Sequence, residues 1–224
     1  MLFPESPWPL RRSSAPRPGC RAKLLLVVEG THDASFLRAL SSMLHAVDGV
    51  LPDLGALERT GELVCLPFGG GDVFAWVERL ASLGLPELHL YDREAPPETQ
   101  LRLAAAARVN QRRRCLAYVT QKRSLENHLH PECVREISGL DLAYGADDDV
   151  AGLVARACHE RLAKPPAWQA LPRRARKRFR ERAKKWLNRL AVERMTPALL
   201  ARQEPCGEIR SWLAAAARLM LDPN

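Results

Sequence analysis

Four short apolar runs in the first half of the chain alternate with segments of helical periodicity, and this alternation limits the possible folds. The runs are KLLLVV, ELVCLP, ELHLYD and CLAYVT, at residues 23–28, 62–67, 87–92 and 115–120. Apolar residues recur at helical spacing in the segments 31–45, 72–83, 97–109 and 122–130. Short apolar strands joined by helices form parallel sheets with right-handed crossovers. The sequence therefore predicts an α/β fold, with a four-stranded and mostly parallel sheet flanked by helices.

The last third of the chain is helical in pattern and strongly basic. Helices are predicted over 148–163, 171–195 and 207–221. Residues 1–150 carry 17 basic and 20 acidic side chains, whereas residues 151–224 carry 17 basic and 6 acidic ones. This asymmetry indicates a polyanionic partner such as DNA or RNA.

The basic charge is concentrated in residues 173–185, where nine side chains are basic and one is acidic. Such a run can bind phosphate backbones, with an affinity that falls as salt rises. The predicted nucleic-acid-binding residues are Arg173, Arg174, Arg176, Lys177, Arg178 and Arg180. Phe179 and Trp186 lie two helical turns apart, so we expect them to pack toward the body of the protein. The alternative is a solvated helix that pairs with the acidic first half.

Chain length allows one domain, or one domain with an appendage. We expect a flexible tail over 1–22, a catalytic domain over 23–146 and a basic helical extension packed on it over 147–224. No run approaches the ~20 apolar residues that a membrane-spanning helix needs, so no membrane partner is predicted. Six scattered cysteines without a CxxC pair suggest reduced thiols and a cytoplasmic location. No GxxxxGK[ST] motif occurs, so no ATP site is predicted in this chain.

Carboxylates follow three of the four predicted strands. Glu29 ends the first strand and Asp33 begins the next helix, Asp92 and Glu94 follow the third strand, and Glu126 follows the fourth. The carboxyl ends of parallel strands lie at one edge of the sheet, where these acids would repel one another. A hard divalent cation with oxygen ligands removes that penalty, and Mg²⁺ is the default. Each acid could instead cap a helix or lie in a solvated loop, and Asp33 is well placed as a first-turn acid that the helix dipole favours.

Four segments together resemble a known family. VVEGTHDASFL at 27–37 is similar to the Glu-Gly…Asp element of Toprim domains, and it is followed in order by GGGD at 69–72, YDRE at 91–94 and SLENHL at 124–129. The last box resembles the Toprim part of OLD-family (overcoming lysogenization defect) endonucleases more than that of primases or topoisomerases. The resemblance covers about residues 23–130. It implies a divalent-metal-dependent nuclease without the ATPase domain that full-length OLD proteins carry.

The resemblance implies roles for the five acids. Glu29 would be a metal ligand or general base, and Asp33 would hold the same ion directly or through another group. Asp92 would be the first acid of the family's Asp-x-Asp, a metal ligand. Glu94 stands where the family has its second Asp, and Glu126 would complete a site for two Mg²⁺ or Mn²⁺ ions.

The resemblance extends to a few further residues. Glu98 could take the place of Glu94 as the second acid. The turn formed by Gly69, Gly70 and Gly71 would let the backbone approach a phosphate, although it could equally be a simple loop. OLD-type Toprim domains also use a downstream lysine, for which Lys184 and Lys185 are the candidates.

The function predicted from these features is metal-dependent cleavage of phosphodiester bonds in DNA or RNA, with Glu29, Asp92, Lys184 and Lys185 as catalytic residues. One alternative is an accessory protein that binds nucleic acid without cleaving it. Nucleotidyl or strand transfer is disfavoured, because all three tyrosines fall in or just after the predicted sheet. An ATPase partner acting in trans is left open.

Overall fold

The computed structural model describes residues 22–69 and 72–221. Its centre is a four-stranded sheet in which every pairing is parallel, with strand order β2-β1-β3-β4. The strands are β1 (Leu24–Val28), β2 (Leu63–Pro67), β3 (Glu87–Tyr91) and β4 (Cys115–Val119). All four strands and the α/β class predicted from the apolar runs are confirmed. The predicted tail over 1–22 lies almost wholly outside the described residues.

The strand order places a topological switch point between β1 and β3. From β1 the chain moves to one side for β2, and it then returns to the other side for β3 and β4. Both central strands are buried along their whole length, which explains why their sequences are apolar runs and not alternating patterns. In open parallel sheets, ligands bind beyond the carboxyl ends of the strands at such a point.

Nine α-helices occur in the described part of the chain. They are α1 (Thr31–Val47), α2 (Leu54–Thr60), α3 (Val73–Ala81), α4 (Glu98–Asn110), α5 (Pro131–Ser138), α6 (Val150–Glu160), α7 (Arg173–Trp186), α8 (Pro197–Gln203) and α9 (Glu208–Leu221). The short helices α2, α5 and α8 were not predicted from the sequence. No described helix combines the length and the apolar character needed to cross a bilayer.

Two predicted helices differ from those found. In place of a helix over 122–130, a 3₁₀ turn covers Leu125–His128, and α5 then begins at Pro131 with the His130 side chain accepting a hydrogen bond from the backbone N–H of Glu132. The basic helix predicted over 171–195 keeps α geometry only to Trp186. A π-helical turn (Leu187–Ala191) and a short 3₁₀ turn continue it.

The apolar core has two parts, one on each face of the sheet. Side chains alternate along β1, so that Leu24, Leu26 and Val28 join one cluster while Leu25 and Val27 join the other. The larger cluster also takes in side chains from α1, α6 and α9 and from the end of α7. Phe179 and Trp186 pack against this cluster, as the helical spacing predicts. The basic helix α7 is thereby held against the same body that carries the carboxyl edge of the sheet.

Candidate functional site

Three carboxylates from two neighbouring strand ends converge at the switch point. Oxygen atoms of Glu29, Asp92 and Glu94 all lie within 4.8 Å of one another. Glu29 directly follows β1, whereas Asp92 and Glu94 follow β3. Among the described residues, these three form the group of acids that could together hold a metal ion. Glu94 adopts a left-handed backbone conformation, with φ of 55°, which re-aims the chain just after the strand.

A lysine ammonium lies in the middle of a second, overlapping group of acids. The Nζ atom of Lys184 lies 3.8–3.9 Å from one carboxylate oxygen of each of three residues. These residues are Asp33, Asp92 and Glu126, and each is at most 3% exposed. The oxygens of Asp33 and Asp92 that face Lys184 are buried and accept no hydrogen bond. Buried carboxylate oxygens without a donor are the groups that an oxygen-seeking cation would satisfy.

The first helix fixes the position of Asp33. Oδ2 of Asp33 accepts a 2.7 Å hydrogen bond from the backbone N–H of Gly30, which caps α1. Oδ1 is left facing Lys184. One oxygen of the Asp33 carboxylate therefore caps the helix, and the other is left facing the acid cluster.

The predicted SLENHL box forms the 3₁₀ turn that brings Glu126 to the site. The Asn127 side chain accepts from the backbone N–H of Ser124 and donates to backbone carbonyls of the loop at residues 145–148. The backbone N–H of Leu125 donates to Asp92 Oδ1 at 3.0 Å. This bond joins the turn to the end of β3, so Glu126 and Asp92 are positioned together.

Two further residues contact the acids, and the sequence did not single them out. Nδ2 of Asn188, in the π-helical turn, donates a 2.6 Å hydrogen bond to Glu126. Nε of Arg102, in α4, lies 2.7 Å from Glu29 Oε1, although not aligned as a hydrogen bond. Arg102 shares a helical stripe with buried Ala and Val residues of α4. A charged residue on an apolar helical stripe is a signal that could have identified Arg102 from the sequence. For Asn188 the only such signal is its spacing of one helical turn from Lys184.

Burial and mutual repulsion raise the pKa values of Glu29, Asp33 and Asp92. Burial raises the pKa of Glu29 to about 7; Arg102 opposes the shift and Asp33 adds to it. Burial likewise raises the pKa of Asp33 to about 6, against the lowering effect of Lys184. The pKa of fully buried Asp92 is raised well above its usual range. Burial opposes the charge on Lys184, but the surrounding carboxylates, Glu126 first, outweigh it and raise the pKa of the ammonium.

A groove of about 810 Å³ leads from the acids along one face of α7. On α7 it is lined by Arg173, Arg176, Lys177, Arg180, Glu181 and Lys184. Opposite α7, it is lined by residues of α6 and by the loops that carry Glu94 and Glu126. Lys184 therefore belongs both to the groove and to the acid cluster.

Several predicted site residues lie away from this arrangement. Arg174, Arg178 and Lys185 are exposed on α7 and do not line the groove. Glu98 is exposed in the first turn of α4 and is not part of the carboxylate group around Glu94.

The glycine turn is only partly described. Gly69 follows β2 with a left-handed φ of 76°, and its N–H donates to the Glu29 carbonyl at 2.8 Å. Gly70 and Gly71 lie outside the described residues. Asp72 accepts hydrogen bonds from the first turn of α3 and acts as its cap. The described part of this turn thus adjoins the acid cluster through its backbone.

The five described cysteines are free thiols, of which Cys115 is buried and Cys65 is partly buried. His128 is fully buried, with its ring nitrogens 3.6–3.7 Å from carboxylate oxygens of Glu204 and Glu208. His130 caps α5, so the two histidines serve separate places in the fold.

With acids beyond β1, β3 and β4, the parallel sheet belongs to an open α/β fold. Two solved structures share it, both of the C-terminal region of the OLD protein of Xanthomonas campestris pv. campestris. The one phased with iodine aligns with 89% of this chain and 96% of its own, at 13% sequence identity and a TM-score of 0.53. The one phased with platinum aligns with 89% and 94%, at 13% identity and a TM-score of 0.51. The resemblance predicted from the sequence is confirmed at the level of the fold.

No protein-family model matches the chain, and no curated protein matches it in sequence.

Proposed function

We propose that this protein is a divalent-metal-dependent nuclease that hydrolyses phosphodiester bonds in nucleic acids. The observation that carries the proposal is the convergence of Glu29, Asp92 and Glu94 at the switch point, with ligand oxygens within 4.8 Å of one another. All the donors are carboxylate oxygens, which suit Mg²⁺ or Mn²⁺. The fold shared with the OLD C-terminal region supports the same conclusion.

A bound divalent cation would polarise the phosphate and make a bound water more acidic. In the proposed reaction a water oxygen attacks phosphorus and the bond to the leaving oxygen breaks, so that one proton is lost by water and one is gained by the leaving group. Glu29 would hold the cation through its ionised carboxylate, and a pKa of about 7 in the metal-free protein makes binding of the cation depend on pH near neutrality. Lys184 is placed to offset negative charge that develops on the phosphate.

The number of ions that the site can hold depends on Lys184. Glu29, Asp92 and Glu94 would hold one ion. The second predicted ion would have to share its ligands with the Lys184 ammonium, which already lies among Asp33, Asp92 and Glu126. Calorimetric titration with Mn²⁺ measures the number of ions bound to each chain.

The test of activity uses the purified full chain with plasmid DNA and with labelled single strands. We expect cleavage with Mg²⁺ or Mn²⁺ and none with EDTA. Glu29→Gln should abolish cleavage without unfolding the protein, because the amide keeps the shape but loses the charge that holds a cation. Glu78→Gln is the matched control, because Glu78 is 57% exposed on α3.

One specific outcome would favour the accessory-protein alternative. If the parent protein and Glu29→Gln bind nucleic acid equally well and neither cleaves it with any divalent metal, the nuclease proposal fails. Binding through α7 would then be the remaining function.

A further inference from the structure

The basic residues of α7 that line the groove lie on one face of the helix. Arg173, Arg176, Lys177 and Arg180 follow the spacing i, i+3, i+4 and i+7, and Lys184 continues the same face. From Arg173 to Lys184 the helix rises about 16 Å. The α7 wall of the groove is thus an elongated basic track that ends at the carboxylates and faces a wall carrying Asp148 and Asp149. Its length suits a tract of about 4 nucleotides of a single strand.

Much of this positive charge has no acidic partner in the described chain. Arg180 pairs with Asp149 at 2.9 Å, whereas no described acid forms an ion pair with Arg173, Arg176 or Lys177. The Nε atom of Arg176 is buried and makes no hydrogen bond. Donors in this state are suited to phosphate oxygens entering the groove.

An aromatic side chain lines the same groove. Trp168 lies in the 3₁₀ turn Trp168–Ala170 just before α7, and its indole is only partly buried. The rings of His159 and Phe179 hold it in place, with centroids 5.5 and 5.9 Å from that of Trp168. A fixed aromatic ring beside a basic track is the combination that proteins use to bind single strands, because every unpaired base can stack on it.

The depth of the site argues against an intact duplex. The carboxylates around Lys184 are at most 3% exposed, so a phosphate must enter the groove to reach them. An unpaired strand can enter where paired bases cannot.

We propose that the groove along α7 binds single-stranded nucleic acid, with Trp168 stacked on an unpaired base and the backbone directed toward Lys184. This inference rests on the proposed function, which supplies nucleic acid as the ligand. It adds that the nucleic acid is bound as an unpaired strand or an unpaired end.

Fluorescence anisotropy in EDTA tests binding without cleavage. The probes are labelled DNA and RNA strands of about 16 nucleotides and the duplexes formed from them. We expect the single strands to bind at least about 10-fold more tightly than the duplexes. Trp168→Ala should weaken single-strand binding by about 10-fold, and Trp168→Phe should largely restore it, because stacking needs an aromatic face. Comparing the DNA probes with the RNA probes shows which of the two nucleic acids supplies the unpaired strand.

Two triple variants that lose the same charge distinguish binding by the groove-lining residues from binding by the overall positive charge of α7. The groove variant replaces Arg173, Arg176 and Lys177 with Ala, and the control replaces Arg174, Arg178 and Arg182. The groove variant should lower the log–log salt slope by about 2, at about 0.7 for each lost contact with a single strand. The control should change it little. Thermal unfolding verifies that each variant is folded.

Equal affinity for duplex and single strand, or equal effects of the two triple variants, would overturn the inference. Either result would leave the nuclease proposal standing, because cleavage is measured separately with metal. Conversely, selective single-strand binding without cleavage would support this inference and refute the nuclease proposal.

Discussion

Replacing Lys184 with methionine removes the one cation that faces Asp33, Asp92 and Glu126 together within the described structure. Unit charges about 4 Å apart attract by about 4 kcal/mol at an effective dielectric constant of about 20. Removal of one partner from a buried ion pair costs about 3–5 kcal/mol in measured cases. Because the Lys184 side chain is 29% exposed, we expect the lower end, about 3 kcal/mol of unfolding free energy at about pH 8.

The unfolding free energy lost on replacing Lys184 should become smaller as pH falls. The folded-state pKa values of Glu29 and Asp33 are about 7 and 6, above ordinary values of 4.5 and 3.8. Between its ordinary and its folded-state pKa, each carboxylate binds more protons in the folded protein than in the unfolded chain. The unfolding free energy therefore falls as pH rises from about 4 to about 7. Without Lys184 the folded-state pKa values rise further, so the unfolding free energy decreases more steeply as pH rises.

Urea denaturation in EDTA measures both effects. Lys184→Met should lose less than half as much stability at about pH 5.5 as at about pH 8. Lys185→Met is the matched control, because Lys185 is exposed outside the acid cluster, and it should stay within about 0.5 kcal/mol of the parent. An equal loss at both pH values, or an equal loss in the two variants, would refute the electrostatic account.

Three other predictions concern the same site. Glu94→Gln should weaken Mn²⁺ binding in calorimetry by at least about 10-fold, whereas Glu98→Gln should leave it unchanged; the reverse result would assign the second acid to Glu98. Mn²⁺ should raise the unfolding temperature more at about pH 8 than at about pH 6, since protons compete with the cation for Glu29; a shift that ignores pH would contradict this. Asn188→Ala should cost about 1.5–3 kcal/mol in urea denaturation, because a buried Glu126 oxygen loses its donor, and an unchanged midpoint would show that the hydrogen bond contributes nothing.

The sheet and the meeting of its acids were predictable because both follow from strand chemistry. β1 and β3 are buried on both faces, so their sequences are apolar without interruption. The parallel arrangement then brings the residues after each strand to one edge, which is why Glu29 and Asp92 could be paired from the sequence. The short helices were missed because seven or eight residues contain too few apolar positions to establish a period.

The cationic side of the site depends on helix phase, which the sequence does not reveal. Lys184 and Lys185 are adjacent, yet consecutive helical residues differ in direction by about 100°. Only the packing of Phe179 and Trp186 against the body decides which of the two faces the acids. Helix phase likewise decides which of the six predicted nucleic-acid-binding residues line the groove, and four of them do while two do not.

The π-helical turn after α7 makes the orientation of Lys184 depend more on the number of residues in the turn than on their identity. A π turn holds one more residue within its hydrogen-bonded ring than an α turn. Deleting exposed Leu190 would let the turn close as α-helix while the following core residues kept their places. To keep those residues in place, α7 would have to rotate by about 100° about its axis and give up the packing of Phe179 and Trp186. Lys184 would swing away from the acids, although every charged side chain would still be present. Substitutions on the exposed surface of this turn should therefore be tolerated in homologous chains, whereas single-residue insertions and deletions should not.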